Sequence, residues 1–199
     1  MRVPRRPSVI DVLAKPERPR ISIVPGGGGN TPYVTSLPDS PADGDEIYFG
    51  AGQAGVIWHL RYRAGAFGSY KWEFVGGSPL VASRDTQRST TSTAYVNLIG
   101  PMSIALPALA GDFDIRIEAN IYGPGGASNA SLSYQVGWTL ADDSWSIVQA
   151  FALAGVSDSK STRHTGVASG AVITEKARVS AGTGQFAARR LRVTPVRVG

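Results

Sequence analysis

The 199-residue chain predicts an all-β protein: an extended N-terminal arm, a small β-hairpin or meander module, then an antiparallel β-sandwich. Three observations predict it. Turn formers abound, with 24 Gly and 13 Pro, while Lys, Leu and Glu are sparse. Several segments alternate apolar and polar residues with period two, as half-buried strands do. Turn signals recur at the spacing of a sandwich, and neither a long helix nor a short-period repeat is visible.

Residues 1–32 read as the arm. Pro4, Pro7, Pro16, Pro19, Pro25 and Pro32 forbid regular structure over most of it, and Gly26–Gly29 make a flexible joint. No Gly-Lys-Ser/Thr follows the glycines, so they are not a phosphate loop. Two readings stand: a free tail, or an arm that orders against a partner or a neighbouring subunit. On the second, the contacts are Arg5, Arg6, Val9, Ile10, Val12, Leu13, Ile21 and Ile23.

Residues 33–80 form the small module. "LPDSPADGDEIYF" is turn-rich and leads into a strand at Glu46–Phe49. In "GVIWHLRYRAGAFGSYKWEF" the aromatics and the charges segregate. Trp58, Leu60 and Tyr62 share a face with Tyr70, Trp72 and Phe74; His59, Arg61 and Arg63 share the other with Lys71 and Glu73. A loop over Ala64–Ser69 would pair Tyr62 with Tyr70, Leu60 with Trp72 and Trp58 with Phe74, setting His59 opposite Glu73 and Arg61 beside Lys71. Nucleic-acid platforms need aromatics and cations on one exposed face, so this pattern predicts a buried aromatic face. A lone hairpin is not stable, so it must pack on more strands or on another chain.

Residues 81–92, "VASRDTQRSTTS", are polar and read as a linker. Residues 93–199 read as the sandwich. In "DFDIRIEANIY", Phe113, Ile115, Ile117, Ala119 and Ile121 point in, and Asp112 to Asn120 alternate outward. "SLSYQVGWTL" places Leu132, Tyr134, Val136 and Trp138 together. "TAYVNLIG", "PMSIALPAL", "SIVQAFALAG", "SGAVITEKARVS" and "QFAARRLRVTPVRV" supply further strands.

The formal charge of +5 is concentrated at the ends: +4 over residues 1–24 and +4 over 186–199, against ten basic and thirteen acidic residues between. A nucleic-acid-binding face is not expected from that distribution. No apolar run is long enough to insert in a membrane, and the N-terminus has no secretory h-region. With no Cys there is no disulfide framework. His59 and His164 lack metal-ligand spacing, and no GxSxG is present. The acids Asp43, Asp45, Glu46, Asp112, Asp114, Glu118, Asp142 and Asp143 sit in turns or on a solvated strand face. No catalytic, cofactor-binding or metal-binding residue is assigned, and an enzyme is not expected. Of the aromatics, Trp138, Trp145 and Tyr122 are candidates to stack on a sugar; Trp145, near a turn in "LADDSWS", is the first choice as a contact for a host cell-surface glycan.

"SLPDSPADGDEIYF" at Ser36–Phe49, "GVIWHLRYRA" at Gly55–Ala64, "YKWEFVGGSPL" at Tyr70–Leu80 and "ARVSAGTGQFAARRLRVTPVRVG" at Ala177–Gly199 carry a resemblance. Together they cover about a third of the chain. They resemble a module of structural proteins of tailed bacteriophages, often termed minor tail proteins. The resemblance implies a jelly-roll or tumour-necrosis-factor-like sandwich, a homotrimer, and a place in the virion after synthesis in the bacterial cytoplasm. The partners it implies are other tail or capsid proteins. It implies a tail-associated, fibre-like component attached by its arm; a capsid decoration or head-fibre protein and a carbohydrate-binding module are the alternatives. In such a trimer Trp58, Leu60, Tyr62, Tyr70, Trp72, Phe74, Arg189, Arg190 and Arg192 would lie at the subunit interface.

Overall fold

The computed structural model describes residues 31–53, 55–122, 128–150 and 156–199. The arm residues Arg5, Arg6, Val9, Ile10, Val12, Leu13, Ile21 and Ile23 lie outside them. Thirteen strands are described: β1 (Tyr33–Val34), β2 (Glu46–Gly50), β3 (Ile57–Tyr62), β4 (Trp72–Gly77), β5 (Leu80–Arg84), β6 (Arg88–Thr90), β7 (Ser103–Ala105), β8 (Gly111–Tyr122), β9 (Asn129–Val136), β10 (Ile147–Ala150), β11 (Val156–Val167), β12 (Val172–Val179) and β13 (Gly184–Val198). Among the described residues the only helical element is a 3-10 turn, Asp143–Trp145.

The strands form two facing sheets, and the expected all-β sandwich is what the chain builds. The larger sheet runs β1-β2-β3-β4-β13-β8-β11, and the smaller runs β10-β9-β12-β7. β13 is the spine of the larger sheet. One edge pairs along its length with β8; the other pairs in turn with β6, β5 and β4. Between the sheets lie Phe113, Ile115, Ile117 and Ile121 of β8, facing Leu132 and Tyr134 of β9 and Ile173 and Ala177 of β12, all fully buried. The period-two alternation read for β8 therefore holds along its length.

Three expectations change. First, residues 81–92 do not form a free linker. β5 and β6 occupy much of the segment and hydrogen-bond to β13. Exposed side chains made it look like a connection, but an edge strand needs only its backbone to pair. Second, 33–80 is no separate sheet: Trp72 and Glu73 of β4 pair with Val198 and Arg197, and one continuous core runs from Val34 to Val198. Third, the hairpin register is two residues from the expected one. Tyr62 pairs with Trp72, Leu60 with Phe74 and Arg61 with Glu73, with a bulge after His59. A two-residue shift preserves the faces, so the aromatic side stays inward. The bulge follows from Gly76-Gly77: Gly77 sits at φ 115°, and a Cβ there would strike the Ile57 carbonyl. The shift also replaces the Arg61–Lys71 repulsion by an Arg61–Glu73 cross-strand pair.

Candidate functional site

The aromatic hairpin belongs to the chain's own core. Trp58, Leu60 and Trp72, expected at a subunit interface, are buried within one chain. Trp58 stacks on Phe49 at 6.1 Å between ring centroids, tilts against Phe113 at 6.3 Å, and donates its indole N–H to the Ser78 carbonyl at 3.1 Å. Tyr62 and Phe74 are half-buried against the same core, and Tyr70 is half-buried beside the C-terminal Gly199. The chain had another partner to offer: β13, far away in sequence, closes the hairpin's open edge by pairing Val198 with Trp72 and Arg197 with Glu73.

The outward face of the same strands is a charge ladder. Register places Asp112, Arg197, Glu73, Arg61 and Glu46 side by side across five strands, acid and base alternating. Arg61 meets Glu46 at 2.6 Å and Arg197 meets Glu73 at 3.7 Å. His59, expected opposite Glu73, instead reaches Glu46 at 2.8 Å. Hydrogen bonds from Arg61 and then His59 hold the Glu46 carboxyl below the usual carboxylate range. Cations in this row are matched by neighbouring acids, which makes a wet structural face.

Arg189 is also not at a surface. Phe186 and Leu191 of β13 both face the core, although their spacing is odd. Ala188, at φ 45°, makes the one-residue phase change, where the β8–β13 register slips between Ala187 and Arg190. The bulge turns Arg189 inward, 1% exposed, where its Nη1 meets Glu175 Oε2 at 2.6 Å. The Met102 N–H donates to that oxygen at 3.0 Å, while Glu175 Oε1 and Arg189 Nε have no protein partner. Burial pushes the Glu175 carboxyl up, against the pull of Met102 and Arg189. Sequence reading missed this pair, yet its trace was there: Ile173, Glu175, Ala177 and Val179 share one face of β12. Arg190 is exposed, 4.0 Å from Glu118, and Arg192 is half-buried.

A groove of about 910 Å³ lies at one end of the sandwich, between the Val136–Thr139 turn, Trp145 and the stretch Arg163–Val172. Trp138, expected to share the buried face of β9, is 98% exposed. Gly137 at φ 55° turns the chain one residue earlier. The turn is tied by Val136 N to Thr139 O at 3.1 Å, Thr139 N to Val136 O at 2.9 Å and Gly137 N to Val172 O at 2.9 Å. Trp145, the expected glycan contact, is half-buried. It stacks on Tyr134 at 5.7 Å and stands edge-to-face with His164 at 4.5 Å. The 3-10 turn capped by Asp142, whose carboxylate accepts from Ser144 N at 2.6 Å, sets its position. His164 Nε2 lies 2.9 Å from the Tyr134 hydroxyl. Burial lowers the His164 pKa and pushes the Tyr134 hydroxyl up to about 12, so a neutral imidazole and a neutral phenol share this hydrogen bond at neutral pH. Tyr122, the other aromatic candidate, is half-buried at the far end of β8.

Among the described residues no group of three or more His, Cys, Asp or Glu side chains is placed to hold a metal ion, and no helix is long and apolar enough to cross a membrane. No protein-family model and no curated protein matches the chain. Solved structures with similarity include the infectious bursal disease virus Gx strain, at 14% identity and TM-score 0.38 over 70% of this chain and 41% of that one. The infectious bursal disease virus VP2 subviral particle matches at 14% identity and TM-score 0.40, over 69% and 39%. Dimeric latent PorU from Porphyromonas gingivalis matches at 12% identity and TM-score 0.33, over 69% and 14%. The chain thus spans about two fifths or less of these structures, and scores this low leave its architecture to be read from its own strands.

Proposed function

We propose that the chain is a structural component of a tailed-bacteriophage virion, tail-associated and fibre-like, attached by its N-terminal arm with the sandwich displayed outward. The observation that supports this is the assembly of the resembling segments. Ser36–Phe49, Gly55–Ala64 and Tyr70–Leu80 follow one another in sequence and contribute β2, β3 and β4 in order; Ala177–Gly199, remote in the chain, contributes the end of β12 and β13, whose Arg197 and Val198 close the open edge of β4. The remote C-terminal segment docking on the strands of the first three is what a shared module would produce.

Assembly as a homotrimer is part of the same reading. Its contacts must come from what one chain leaves exposed, such as Phe67 at the hairpin tip, and cannot come from Trp58, Leu60, Trp72 or Arg189. Capsid decoration remains the second reading, since the same arm suits attachment to a head lattice. Mass spectrometry of purified virions, with immunogold against residues 93–199, tests both. Gold along the tail or its tip supports the first and gold over the head the second; absence of the protein from the particle overturns both. Deletion of residues 1–32 is expected to leave a folded protein that no longer incorporates.

A further inference from the structure

The groove beside Trp138 differs from the rest of the surface in chemistry as well as shape. An indole held in water on a tied two-residue turn carries a hydration cost that no contact among the described residues offsets. Trp145 forms a second aromatic wall, braced from behind by Tyr134 and His164. The rest of the lining mixes hydroxyl side chains, Thr139, Thr165 and Ser169, with small apolar ones such as Val136, Ala168 and Val172. Among the described residues that line the groove, Arg163 alone bears a fixed charge. Its charge is paired: Nε and Nη2 donate to the two carboxylate oxygens of Asp114, at 2.9 and 3.0 Å. His164 is uncharged at neutral pH for the reason given above.

That combination selects a ligand class. Nucleotides, phosphopeptides and other anions need an unpaired cation, and divalent metals need clustered carboxylates; the described lining has neither. A purely apolar ligand would strip water from Thr165 and Ser169 without replacing it. A neutral pyranose satisfies both surfaces: its C–H face lies on an indole, and its hydroxyls pair with hydroxyls and backbone groups. The volume, about 910 Å³, is that of a small-ligand cleft. We propose that this groove binds a neutral oligosaccharide, with Trp138 as the stacking platform and Trp145 as the opposing wall. The assignment goes beyond the virion reading and does not depend on it; a protein absent from virions would still bind sugar here, and a virion protein could lack the site.

Calorimetric titration of the full chain with tetramers of glucose, mannose, galactose and N-acetylglucosamine tests it, with sialyllactose as the anionic counter-probe. At least one neutral tetramer is expected to bind saturably. Trp138→Ala, at a position so exposed that the fold does not need it, should weaken binding at least ~10-fold with an unchanged melting temperature. Trp145→Phe, which keeps an aromatic against Tyr134, should weaken it less. The proposal is overturned if no neutral tetramer binds, if sialyllactose binds more tightly than all of them, or if Trp138→Ala binds as the parent does. It is also overturned if that substitution lowers the oligomeric state in sedimentation velocity while leaving sugar affinity unchanged, because Trp138 would then be a subunit contact.

Discussion

Replacing Arg189 with Met removes the cation that faces Glu175 between the sheets. The two side chains are 1% and 0% exposed and meet at 2.6 Å. Without Arg189 the carboxylate keeps one donor, the Met102 N–H at 3.0 Å, and its other oxygen already lacks a partner. Stranding a buried charge in this way costs ~3–5 kcal/mol. For a chain of this size that is a fall of about 6–20 °C in Tm. Glu175→Leu should cost a similar amount, because the guanidinium would retain only a long 3.5 Å contact to the Thr86 carbonyl. The double variant Glu175→Leu/Arg189→Met puts apolar groups of similar volume in both places and should come within ~2 kcal/mol of the parent. Urea unfolding at pH 7, read by circular dichroism and assembled into a double-mutant cycle, supplies the numbers. Single variants costing less than ~1 kcal/mol, or a double variant equal to the sum of the singles, would refute the account of a dry, mutually dependent pair.

Further outcomes follow from the same geometry. Ala188 holds a left-handed backbone at φ 45° on an exposed bulge, so Ala188→Gly should raise stability by ~0.5–1 kcal/mol in the same urea assay. Gly77→Ala should lose about 2–3 kcal/mol, because the new Cβ meets the Ile57 carbonyl and φ is 115°; a neutral result would mean the bulge relaxes freely. Trp58→Ala should cost ~3–5 kcal/mol, while Phe67→Ala, 92% exposed, should stay within about 0.5 kcal/mol. Stability should also fall at both pH extremes. The lowered His164 pKa contributes stability above the ordinary histidine value that is lost as pH falls through the folded one. Tyr134, raised from about 10 to about 12, contributes ~3 kcal/mol below pH 10 that is lost as pH rises through 12. Tyr134→Phe should flatten the alkaline limb, and an unchanged limb would show that the hydroxyl is not the titrating group.

Strand identity and facing were legible in the sequence wherever one side of a strand meets the core and the other meets water. β8 shows this along all twelve residues, and the hairpin shows it in its divided aromatics and charges. Pairing was not legible. Period two says which way a side chain points but not which backbone lies beside it, so the hairpin register was two residues off and β5 and β6 passed for a linker. Glu175 on an apolar stripe was visible, but the arginine that meets it comes inward only because the chain slips one residue at Ala188, a choice made by β8 alongside. Trp138 and Trp145 show the same division. Sequence placed Trp138 on a strand face with Tyr134 and Val136 and Trp145 near a turn, and offered both as candidates to stack on a sugar. The tertiary structure decided that one stands in open water and the other against Tyr134, because the turn at Gly137 and the meeting of β9 with β11 across the sandwich are set by contacts remote in the chain. Local periodicity reports the immediate environment of each residue, and long-range backbone pairing decides which of those environments adjoin.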